Sequence, residues 1–295
     1  MSNKADRNKK IKLFFGEKDI NYAQPNNYAF LNWMFDNSMG GKDNLAQSAQ
    51  DNFVMGNAYM ANAVLGLYSI IYNKNRCSTA DTLIFPIMFD IWHGLELWLK
   101  SSIYAIDFLT DSDKKKKQNH GIDGYLNILK GELKRLGMNQ TIDIALYEVT
   151  ALIEEFQRVN ANFDFARYSF DSKGNYQFYN TPSGDEQQWQ NDGEKKQNGN
   201  EIKNEDWSSQ MLIVPNTCVD LRQLFVALLG IVKNFRDFVE YLTLVITEGG
   251  YLTDDAYNQH LKICKESEES MRQMDNDEQD MGIEAIMKLI YLHIL

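Results

Sequence analysis

"FDIWHGLELWLKSSIY", residues 89–104, decides how this chain is read. Taken as a helix it is apolar almost all the way round, the pattern of a helix buried in protein. Yet His93, Glu96 and Lys100 interrupt it. At about 100° per residue these three fall within one narrow arc, flanked by Trp92 and Leu97. The stripe is either the solvent side of the helix or the wall of a partly enclosed polar cleft.

The surrounding chain supports a helical protein. It has 295 residues, 44% of them apolar, with 16 Phe and 15 Tyr for a core. Prolines stand only at 25, 86, 182 and 215, which leaves room for long helices between them. Cys77, Cys218 and Cys264 are far apart, odd in number and form no Cys-x-x-Cys pair. That usage argues for a reducing, cytoplasmic setting and against a disulfide scaffold or zinc knuckle. The N-terminus, "MSNKADRNKKIKLFF", is basic but lacks the apolar core of a signal peptide. Residues 52–73 are free of charge, but four asparagines, a serine and two glycines make them a poor membrane span. No membrane association is expected.

The net charge of −11 is concentrated. Residues 248–284 hold eleven acids against Lys262, Lys265 and Arg272, and so supply −8 of it. Small basic clusters occur at Lys4–Lys12 and Lys114–Lys117. A chain this acidic does not wrap a duplex, although a local basic mouth for a single strand is compatible with it.

Periodicity predicts a tail and loop over 1–47, followed by a single helical domain over 48–295. The first helix runs over 48–73. The second covers 80–109, with Ser78 or Thr79 as its N-cap and Pro86 in its first two turns. A third helix at 121–136 ends at Gly137, and a fourth spans 141–160. "FDFARYSFDSKGNYQFYN" then alternates aromatic and polar residues around a turn, suiting a short β-hairpin at 163–180. Residues 180–210 read as a flexible excursion. Helix resumes over 217–247, capped by Gly249 and Gly250, and two acidic C-terminal helices fill 254–294. The expected fold is mainly α: a helical bundle with a short β-hairpin and a flexible insertion.

The familiar catalytic signatures are missing. The sequence has no phosphate-binding Gly-x-x-x-x-Gly-Lys-Ser/Thr, no Gly-x-Ser-x-Gly elbow and no His-Glu-x-x-His. A metal site would have to draw on His93, Glu96, His120 and Asp123, and none is expected, nor any cofactor. That leaves the stripe. Glu96 and Lys100 are spaced to pair along the helix, and Phe89, Ile103 and Tyr104 are odd company for a wet face. In a cleft, His93 would serve as general acid or base and Glu96 would orient it. "KKKKQNHGIDGYL" brings Asn119, His120 and Asp123 to the start of the third helix, whose N-terminus favours anions. "FARYSFD" offers Arg167 and Tyr168, the guanidinium suited to a carboxylate such as Glu96. Read blandly, His120 neighbours a helix cap and Arg167 is a surface charge on the hairpin.

Taken in order, "FPIMFDIWHGLELWLK", "NHGIDGYLNIL" and "FDFARYSFDSKGN" resemble the bacterial HEPN-like proteins. There a helix with His, Glu-Leu and Lys precedes a His-Asp/Gly-Leu segment and a Phe-Arg-Tyr-Pro-like hairpin. The resemblance covers about residues 50–180, under half of the chain. It implies a HEPN-like bundle that commonly dimerises, among toxin–antitoxin, abortive-infection and other phage-defence genes, where many members cut RNA without a metal. His93, Glu96 and His120 would then be the catalytic candidates. Lys100, Asn119, Asp123, Arg167 and Tyr168 would bind an RNA or nucleotide. Two departures stand out. No histidine here has an arginine five to seven positions upstream, so the usual Arg–His ribonuclease pair has no counterpart. Ser169 also replaces the hairpin proline. The alternative is a non-catalytic interaction or sensor module that takes a small ligand or a protein partner, the latter on the acidic C-terminal helices.

Overall fold

The computed structural model describes residues 44–72, 77–111, 121–159 and 218–274. The expected hairpin, the excursion and the last helix lie outside these residues, as do Asn119, His120, Arg167 and Tyr168. The described part is built from helices: α1 (Leu45–Tyr72), α2 (Cys77–Leu109), α3 (Ile122–Arg135), α4 (Asn139–Ala145), α5 (Tyr147–Val159), α6 (Leu221–Ile231), α7 (Asp237–Glu248) and α8 (Asp254–Met274). A π-helical turn, Val232–Arg236, joins α6 to α7. The fold is mainly α, as the periodicity predicts.

The stretch 89–104 lies in the middle of α2, the helix around which the others gather. Its partner along most of its length is α1, and two glycines permit their close approach. A Cβ on Gly56 would lie 2.4 Å from Trp98 Cδ1, and one on Gly94 would lie 3.0 Å from Met60 Cγ. Trp98, fully buried, donates its indole N–H to Asn57 Oδ1 at 3.0 Å. Ser101 Oγ donates to the Ala49 carbonyl at 2.7 Å. Each bond satisfies a polar group that burial would otherwise leave unpaired. Among the described residues α1 is the one helix long and apolar enough to cross a membrane. Its closely packed side, however, faces protein.

Helix α3 follows its pattern closely. Ile122, Tyr125, Leu126, Leu129 and Leu133 form one buried face. Its end is a Schellman motif: Gly137 takes φ +77°, the Met138 N–H donates to Leu133 O, and that of Gly137 to Lys134 O. Met138 and Leu133 are both fully buried, the apolar contact that completes such caps. Gly249 ends α7 with φ +79° and ψ 157°, an extended positive-φ conformation open to glycine and not the left-handed turn of Gly137's cap.

Several boundaries differ from expectation. α2 begins at Cys77, so Ser78 and Thr79 lie inside it and are not its N-cap, and Pro86 falls in its third turn. The expected helix at 141–160 is two helices. The chain bends at Leu146, whose side chain turns fully into the core. The expected helix at 217–247 starts later, where Asp220 caps the N–H groups of Arg222 and Gln223 at 3.0 Å. It is also interrupted by the π turn. There one extra residue per turn lets Phe235 meet Trp98 edge-on at 6.0 Å while Arg236 lies over the Phe53 ring at 5.7 Å.

Candidate functional site

The stripe on α2 is neither wet nor sealed. The side chains of His93, Glu96 and Lys100 are each exposed by about a quarter (26%, 24% and 25%). They lie in a seam whose neighbours come from α1 and α3. Because Gly56 and Gly94 draw α1 against α2, Tyr59 of α1 meets the His93 ring edge-on at 4.6 Å. Phe89, one turn earlier on α2, stacks on it at 5.7 Å. On the α3 side, Lys100 Nζ stands 5.2 Å from the centre of the Tyr125 ring.

Glu96 is the hub. Oε1 accepts from Lys100 Nζ at 2.6 Å, and Oε2 is 3.8 Å from His93 Nδ1. The second distance is too long for a hydrogen bond, so His93 is an electrostatic neighbour. The His93 ring first, and then the Lys100 ammonium, outweigh burial and hold the Glu96 carboxyl down to about 2. Burial pulls Lys100 the other way, but Glu96 together with the Tyr125 and Tyr104 hydroxyls leaves its pKa raised. Near neutrality these two are a fixed ion pair. Neither is a proton-transfer group.

His93 is different. Its Nδ1 is shielded from solvent and has no hydrogen-bond partner among the described residues. A second carboxylate, Asp90, stands one turn before it on α2 and is buried. Burial raises the Asp90 pKa, while a hydrogen bond from Asn62 Nδ2 and the charge of His93 oppose that rise. His93 is thus flanked along its helix by Asp90 and Glu96 and held between Phe89 and Tyr59. Its position suits an imidazole that exchanges protons with something bound in the seam.

Of the predicted site residues, the structure brings together His93, Glu96 and Lys100. Asp123 is exposed in the first turn of α3, beside Gly121, where its charge complements the helix N-terminus. No hydrogen bond or ion pair joins it to the other three among the described residues. No group of three metal-ligating side chains occurs among the described residues either. Sequence reasoning passed over Asp90, which the periodicity of α2 already places on the His93 side. It also passed over Tyr59, Asn62 and Tyr125, which only the packing of three helices brings in.

A second polar cluster surrounds the π turn. Buried Arg236 pairs with Glu240 at 2.5 Å and with Asp237 at 3.5 Å, its Nε having no hydrogen-bond partner among the described residues. Asn234 bonds Glu148 and accepts from the Tyr257 hydroxyl. His260, its pKa lowered by burial, lies against Tyr241 and Tyr257 with Nε2 3.5 Å from Cys264 Sγ. These groups tie α7 and α8 to the body.

No known family model, no characterised protein and no solved structure matches this chain.

Proposed function

We propose that the chain is a HEPN-like protein of bacterial defence or toxin systems that acts on RNA or a nucleotide at the His93 seam without a metal. The observation that supports this most is the solvent-shielded His93 Nδ1, which has no hydrogen-bond partner among the described residues and lies beside a carboxylate that stays ionised. A histidine that merely held the fold together would use that nitrogen in a hydrogen bond. Here it is turned toward Glu96, which would stabilise an imidazolium, so proton exchange with a bound substrate falls to the ring's other nitrogen.

One observation favours a second reading, a non-catalytic binding module. Lys100, the cation of the stripe, is already paired with Glu96 at 2.6 Å, so its charge is not free for a phosphate in the transition state.

Purified protein incubated with total RNA and a nucleotide panel, with a chelator present, separates the two readings. Turnover that survives chelation and is lost in His93→Ala supports catalysis. Ligand binding without turnover, abolished by the same change, supports the binding module. Equal behaviour of wild type and His93→Ala in both assays overturns the site.

A further inference from the structure

Tyr257, His260 and Cys264 follow one another at spacings of three and four along α8, so they share one side of that helix. Their contacts turn this side toward α7. Tyr257 meets Phe238 edge-on at 5.5 Å, and the His260 ring lies 5.4 Å from that of Tyr241. Lys262, Ile263 and Lys265 are exposed on the rest of the helix. Burial falls off along the packed side: Tyr257 is fully buried, while His260 and Cys264 keep part of their surface in water.

The last two form a pair. Cys264 Sγ is 3.5 Å from His260 Nε2, within hydrogen-bond reach for sulfur. The imidazole lies against the rings of Tyr241, from α7, and Tyr257, from its own helix. The charged groups facing it are Glu240 of α7 and Arg236 of the π turn. Burial lowers the His260 pKa, with the Glu240 carboxylate opposing that fall and the Arg236 guanidinium adding to it. Near neutrality the ring is therefore uncharged, and with its own proton on Nδ1 it offers the Nε2 lone pair to the thiol. A cysteine kept for packing alone is a buried, inert filler. A partly open thiol set on a neutral base is the arrangement of an activated nucleophile.

We propose that Cys264 is a reactive thiol, activated by His260, that hydrogen peroxide oxidises to a sulfenic acid. The Cys264 thiol gives its proton to His260 Nε2, and the sulfur attacks one oxygen of the peroxide. The O–O bond breaks, and the departing hydroxide takes the proton back from the imidazolium to leave as water. Sulfur is oxidised and the peroxide reduced, so that thiol and peroxide yield sulfenic acid and water. So small an oxidant needs no binding groove to reach a partly exposed sulfur. None of the groups at the His93 seam takes part.

Cys218 is the internal comparison, because it is the more exposed of the two. The full chain is treated briefly with iodoacetamide, and alkylation at each cysteine is read by peptide mass spectrometry. If exposure alone governed, Cys218 would react first. Cys264 is expected to react faster in the folded protein, by at least about threefold, and to match Cys218 in concentrated urea. With hydrogen peroxide and the sulfenic-acid probe dimedone, the adduct is expected at Cys264 ahead of Cys218. His260→Phe keeps an aromatic ring beside Tyr241 and Tyr257 but has no base, and His260→Gln keeps a polar group in its place. Each is expected to drop Cys264 below Cys218, since partial burial then protects a thiol that nothing activates. Cys264 reacting no faster than Cys218 in folded wild type overturns the proposal without recourse to any variant. So does a Cys264 rate unchanged in both variants, or a dimedone adduct that forms no faster at Cys264 than at Cys218.

Discussion

Replacing Glu96 by Gln removes one negative charge from the seam while keeping the side chain's size and a hydrogen-bond acceptor. In the folded protein the Glu96 carboxyl falls from its ordinary 4.5 to about 2. A drop of that size corresponds to at most about 3 kcal/mol of stability in the charged state. Glu96 remains one-quarter exposed, so water screens part of this, and about 1–2 kcal/mol is the reasonable expectation. The sign follows from the depressed value. Above pH 4.5 the carboxylate is ionised in folded and unfolded chains alike, and its full contribution is present. As pH falls from 4.5 toward 2 the unfolded chain takes up the proton first, and the contribution drains away. Urea unfolding of wild type and Glu96→Gln at a series of pH values measures this directly. The wild type should exceed the variant by about 1–2 kcal/mol at pH 7, with the gap closing between pH 4.5 and 2. A difference that stays constant across that range would mean that the carboxylate is not held low by His93 and Lys100. The reasoning about the seam would then fail with it.

Two glycines should respond in opposite directions. Gly56→Ala drives a methyl into Trp98 and is expected to cost about 1–3 kcal/mol in thermal unfolding. Gly131→Ala meets nothing within 4 Å on the exposed side of α3 and should stabilise by about 0.5–1 kcal/mol. Asp254 caps α4 across 113 residues, accepting from Thr141 N and Oγ1 at 2.9 and 2.7 Å. Asp254→Ala should destabilise by about 1–2 kcal/mol and speed amide hydrogen exchange at Gln140 and Thr141, and unchanged exchange there would show that α4 does not depend on this cap.

The His93 stripe shows how far local pattern reaches. That His93, Glu96 and Lys100 share a side of one helix, and that Glu96 and Lys100 pair, follows from helical geometry alone, and the structure has the pair at 2.6 Å. Asp90 was legible by the same rule. Whether the stripe was wet was not legible, because exposure depends on what lies across from a helix. Tyr59 and Asn62 are about thirty residues away in sequence from the groups they meet. Their arrival depends on a glycine contact between α1 and α2 that no spacing in α2 reveals.

The amino-acid order by itself determined that the described part is mainly helical, where α3 and α7 end, and which residues of α2 line up. These properties depend on side chains three or four positions apart and on glycines that accept a positive φ. Tertiary structure alone decided the bend at Leu146, the π turn ahead of Asp237, and the shielding of His93. Each of these trades local helical regularity or solvation for contacts with distant elements: Leu146 buried in the core, Phe235 against Trp98, Tyr59 against His93. A pattern confined to one helix carries no record of such partners.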